Sequence, residues 1–72
     1  MNYIKRAIEE IDSYLQDGYQ RVSRIHKADG TTVCLLYHPN GNRIEIHARE
    51  SEIVTYVNGY PKKTEKLLTH VR

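Results

Sequence analysis

The sequence predicts a small α+β domain: an N-terminal helix, a three- or four-stranded antiparallel meander and a short C-terminal helix. Three observations predict it. Residues 2–17 repeat apolar side chains at helical spacing. Residues 31–48 hold an apolar segment and an alternating one on either side of Asn40-Gly41. The four glycines fall at the ends of such segments. Residues 1–72 read as a single domain. A chain this short buries only about 60% of the surface its unfolded form exposes, which makes self-association a live expectation.

In the first segment Ile4, Ala7, Ile8, Ile11 and Leu15 form one apolar stripe, with Lys5, Arg6, Glu9, Glu10 and Asp12 elsewhere on the helix. Gly18 suits the residue past its end, where a left-handed backbone is needed. Bases at the start and acids at the finish oppose the helix dipole, so packing must hold this helix in place. Residues 19–27 read as a polar edge strand whose bases discourage edge-to-edge aggregation. Asp29-Gly30 turns it into the apolar strand at 31–38.

A tight Asn40-Gly41 turn then leads into 43–49, where Ile44, Ile46 and Ala48 alternate with Arg43, Glu45, His47 and Arg49. For residues 51–57 two arrangements stand. Their β-branched and aromatic content favours a fourth strand, whereas Ser51 could cap a short helix closed by Asn58-Gly59. Pro61 suits the first position of a final helix, with Leu67, Leu68 and Val71 on its apolar side.

The composition is that of a folded rather than a disordered chain, 39% hydrophobic and 28% charged. No apolar run nears the roughly 18 residues of a membrane span, so no membrane partner is expected. The charged start argues against a secretory leader, and Cys34, the single cysteine, fits a reducing, cytoplasmic setting. A net charge of +2 does not by itself mark a polyanion binder. Its distribution gives an acidic first segment and a basic last one. Nucleic acid is therefore a possible partner, through Arg21, Arg24, Lys62, Lys63, Lys66 and Arg72, with Arg43 nearby.

The residues suggest no enzyme. His26, His38, His47 and His70 lack ligand spacing, so neither metal nor cofactor is expected. Cys34 lies in an apolar strand, where a thiol is an inert small hydrophobe. Ser13, Ser23 and Ser51 sit in no triad context, and no glycine-rich phosphate loop is present. All six aromatic residues are tyrosine, a side chain suited to the rim of a core and to interfaces. Tyr37, Tyr56 and Tyr60 with neighbouring bases are candidates for a contact surface.

The order helix–strands–helix resembles that of double-stranded-RNA-binding domains and of the HicA-type toxins, small RNA-cleaving proteins of the same fold. Asp17-Gly18-Tyr19 at the helix end, and His38-Pro39-Asn40-Gly41 before a strand reaching His47, are similar to the toxins over about residues 17–48. The toxins' Gly-Ser-His, which carries the catalytic histidine, is Asp29-Gly30-Thr31 here, so no catalytic assignment carries over; a degenerate ribonuclease would have to use His26 or His47. Lys62-Lys63 resembles the phosphate-clamping lysines of the RNA-binding domains. Their Gly-Pro-x-His loop is missing, and residues 64–71 lack their alanines.

The apolar run Val33–Tyr37 puts oily groups on both faces of the sheet, and one helix covers only one of them. With Val33, Leu35 and Tyr37 assigned beside Ile44 and Ile46 under the helix, Cys34 and Leu36 emerge next to Glu45 and His47. The expected partner-binding surface is then Cys34, Leu36, Arg43, Glu45, His47 and Tyr56, with Tyr37 added as a tyrosine suited to contact. The expectation is a non-enzymatic regulator, inhibitor or adaptor that acts on a protein partner or on itself; a bacterial or phage accessory protein would fit, though no residue shows origin.

Overall fold

The computed structural model describes residues 3–67 of the chain. Helix α1 (Tyr3–Gln16) is followed by strands β1 (Gln20–His26), β2 (Thr32–Tyr37), β3 (Arg43–Arg49), β4 (Glu52–Val57) and β5 (Tyr60–Lys66). Each strand pairs antiparallel with its neighbour in sequence, so the five form one sheet in the order β1-β2-β3-β4-β5. Within residues 51–57, Glu52–Val57 form a strand. The expected C-terminal helix is replaced by β5 as far as Lys66. Leu68, Val71 and Arg72, assigned to that helix and its basic end, lie outside the described residues.

Asn58-Gly59 explains the correction. Asn58 has φ 52° and Gly59 φ 88°, and the turn joins the paired residues Val57 and Tyr60. Two successive positive φ values make the hairpin turn whose twist matches its strands, and Asn-Gly is its strongest sequence signal. Pro61 then sits on an edge strand, where its missing N–H removes no central hydrogen bond. With β5 in place of the helix, the helix–strands–helix order shared with the RNA-binding domains and the toxins is not seen among the described residues.

The second correction concerns facing. Across the β2–β3 hairpin Cys34 pairs with Ile46 and Leu36 with Ile44, while Leu35 pairs with Glu45 and Val33 with His47. Cross-strand partners share a face, so Cys34 and Leu36 join the isoleucines beneath α1. The reason is loop length. A two-residue Asn40-Gly41 turn would pair odd positions with even ones and place Leu35 opposite Ile46. The chain instead makes a three-residue loop: the His38 N–H donates to Asn42 O at 3.0 Å and the Gly41 N–H to His38 O at 2.9 Å. Gly41 is left-handed at φ 99°, the geometry of a type I turn followed by a bulge glycine. One residue of register moves every side chain of the strand to the opposite face.

The core comprises Ala7 and Ile11 from α1, Cys34, Leu36, Ile44, Ile46, Ala48 and Ile53 from the sheet, and Leu67 beyond β5. Tyr3, Tyr14 and Tyr19 pack around it. The ring of Tyr19 lies edge-on to Tyr14 and to His38, with centroids 5.4 Å and 4.8 Å apart. His38 Nδ1 accepts the Asn40 N–H at 3.0 Å, so its Nε2 donates to Asp17 O at 3.2 Å and ties the helix exit to the β2–β3 loop.

Two core groups carry predictions. Thr55, 1% exposed, has a buried hydroxyl with no hydrogen-bond partner. Replacing it with valine removes that desolvated group at constant shape and is expected to raise stability by about 1 kcal/mol. Denaturant unfolding reads the change, and a loss would mean the hydroxyl is satisfied. Cys34 is 2% exposed, and burial pushes its thiol pKa up against the weaker pull of Arg21 and Arg24. Its contribution to stability is whole below the unfolded thiol pKa of about 8.5 and is lost as pH rises through the higher folded value. An aromatic disulfide reagent should modify Cys34 slowly in buffer and quickly in denaturant. Rapid native reaction would contradict its burial.

Candidate docking surface on the helix-free face

The alternation that buries Cys34 and Leu36 turns Val33, Leu35 and Tyr37 outward. The register extends this into rows that cross the sheet. Ile25, Val33, His47, Val54 and Thr64 are successive partners in one row, and Ser23, Leu35, Glu45, Tyr56 and Pro61 in the next. Tyr37 pairs with Arg43, and Arg49 with Glu52. Among the described residues no helix or strand lies over this face. The side chains shade one another, so Val33, Leu35, Val54 and Tyr56 are half-buried, while Tyr37 and Ile25 are exposed.

A polar line along β3 divides the surface. The Nε2 of His47 donates to Glu45 Oε1 at 3.1 Å, and the ring of His47 meets Tyr56 with centroids 4.6 Å apart, tilted by 53°. Arg43 Nε, buried and without a hydrogen bond, lies 3.8 Å from Glu45 Oε2. Charge of both signs thus runs between two apolar stripes, Val33-Leu35-Tyr37 on β2 and Val54-Tyr56 on β4.

Of the surface expected from sequence, Tyr37, Arg43, Glu45, His47 and Tyr56 come together here. Cys34 and Leu36 do not; they are core. Sequence reasoning missed Val33 and Leu35, which a three-residue reading of the Pro39-Asn40-Gly41 loop would have found, and Val54, which shares the face of Tyr56 by alternation along β4. Tyr60 pairs with Val57 on the helix side and does not join.

The basic residues do not form one footprint. Arg21 and Arg24 lie on β1, and Lys62, Lys63 and Lys66 on β5, opposite edges about 19 Å apart at four strand spacings. Lys63 Nζ is 3.0 Å from Glu10 Oε2, and Lys66 Nζ is 3.0 Å from Glu52 Oε1. Arg72 is outside the described residues. His26, whose Nδ1 is 2.9 Å from Thr32 Oγ1, faces the helix side, and His47 faces away from it. The two candidate bases therefore share no site. Among the described residues no group of His, Cys, Asp and Glu could hold a metal ion, and no helix is long and apolar enough to cross a membrane.

No protein-family profile, curated protein or solved structure matches this chain.

Proposed function

We propose that this chain is a non-enzymatic binding module that acts by protein–protein contact through the helix-free face, as a small regulator, inhibitor or adaptor. One observation carries the reading: an apolar surface contributed by β1, β2 and β4 lies on the sheet face opposite α1. Apolar patches rimmed by polar groups mark interaction sites. The chemistry of the face favours a protein over a nucleic acid. Arg43, Arg49 and Lys66 alternate with Glu45 and Glu52, whereas a phosphate backbone selects a surface of one sign. Half-buried Tyr56 and exposed Tyr37 beside aliphatic side chains match the aromatic enrichment of protein interfaces.

The test compares the wild-type chain with Leu35→Asp, both checked for native circular dichroism. A discrete protein from the native cell that binds wild type and is lost from Leu35→Asp supports the reading. Binding of RNA or DNA at low salt that is indifferent to Leu35→Asp and falls steeply with added salt would replace it with a nucleic-acid function.

A further inference from the structure

The second unfilled surface is on the helix side. Helix α1 lies over β3 and β4 and leans toward β5, where Arg6 and Glu10 meet Glu65 and Lys63. Beside it on the helix side, Cys34 and Leu36 of β2 are already buried, while Arg21, Arg24 and His26 of β1 stay exposed. There a groove of about 150 Å³ opens, walled by Ala7, Ile8 and Ile11 on one side and by Arg24 and His26 on the other, with Ala48 in its floor.

The helix contributes more apolar surface than its own sheet covers. Ile4, Ile8, Ile11 and Leu15 follow one another at spacings of four, three and four, the interval of a helix–helix seam. Ile8 remains 51% and Leu15 37% exposed.

We propose that α1 of a second copy of this chain packs along the groove, its apolar side chains entering it, antiparallel to the first across a two-fold axis. The dimensions agree. Packed helices lie 8–10 Å apart, and two strand spacings are about 10 Å, so a helix seated beside one over β3 and β4 lies toward the β1 side of the sheet, above the exposed Arg21 and Arg24. The charges agree as well. The outward side of α1 bears Glu9 and Asp12, both exposed, and on the second copy this side descends on the Arg21 and Arg24 of β1. The antiparallel direction brings Lys5, near the start of one helix, toward Asp12, near the end of the other. The charge order that opposes the dipole within one helix becomes complementary between two.

The result is a three-layer dimer, sheet–helix pair–sheet, with both helix-free faces outward. It does not depend on what those faces bind. Sedimentation equilibrium across a dilution series tests it on the full chain. Wild type is expected to approach twice the 8.4 kDa monomer mass. Ile8→Glu, at a half-exposed position compatible with the monomer fold, should weaken the dimer by about a hundredfold or more. Leu35→Asp should leave it intact. Arg24→Glu should weaken it, and adding Glu9→Arg should restore it. A monomer at every concentration overturns the proposal, as does a dimer indifferent to Ile8→Glu. A dimer dissolved by Leu35→Asp also overturns it and moves self-association to the helix-free face.

Discussion

Leu36→Ala is expected to cost about 3 kcal/mol of folding stability, and Leu35→Ala about 1 kcal/mol or less. The side chains are neighbours of identical chemistry, so the difference isolates facing. Leu36 is 0% exposed, opposite Ile44 in the layer beneath α1. Truncating it leaves a cavity that a sheet pinned by hydrogen bonds on both sides of β2 cannot collapse to fill. Leu35 is half-buried on the helix-free face, where water takes the vacated space. A charge amplifies the contrast. Leu36→Asp should not fold, because a small domain has only about 5–15 kcal/mol of stability to oppose burial of an unpaired carboxylate. Leu35→Asp should fold. Urea midpoints of Leu36→Ala, Leu35→Ala and Leu35→Asp, with the circular dichroism of Leu36→Asp, read the result, and equal losses at the two positions would contradict the observed register.

The second large effect is expected at Arg6. Its guanidinium meets Glu65 two-pronged, Nε to Oε2 at 2.8 Å and Nη2 to Oε1 at 2.7 Å, and Nη2 also reaches Glu10 Oε1 at 3.1 Å. Lys63 closes the group through Glu10. These bonds, those to Glu65 foremost, hold the Arg6 pKa above its ordinary value. Glu10 is 9% exposed, so Arg6→Ala leaves a nearly buried carboxylate and a neighbouring Glu65 with Lys63 as their remaining cation. The expected cost is about 2 kcal/mol, reduced from that of a fully buried pair because Arg6 and Glu65 keep partial contact with water. Arg6→Lys should recover less than half, since an ammonium keeps the charge without the fork. A double-mutant cycle with Glu65→Gln measures the coupling. Independence of the two changes would mean that the group does not fasten α1 to β5.

Much of this architecture was legible in the residues. The repeat from Ile4 to Leu15 located α1, and strict alternation from Arg43 to Arg49 located β3 at its observed ends. Three features were not, each for a physical reason. The facing of β2 depends on whether two or three residues close a hairpin, and Pro39-Asn40-Gly41 supports either count by composition. Strand β5 is polar and carries a proline, so its periodicity is silent and only Asn58-Gly59 announces it. The stripe on α1 was visible, but which part of it the sheet covers depends on where the helix sits across five strands. The candidate surface was half-legible for the same reason: its β3 members followed from alternation, Tyr56 was named as a tyrosine suited to interfaces while Val54 on the same strand was missed, and its β2 members turned on one residue of register.

The most direct test of the docking claim places a photo-crosslinking side chain at position 35, and in a parallel experiment at position 62 on the β5 edge, with each chain expressed in its native cell. The prediction is a discrete crosslinked protein from position 35 and none of that species from position 62. No crosslink from position 35, or the same protein captured equally from both positions, would contradict the helix-free face as the surface through which this chain acts.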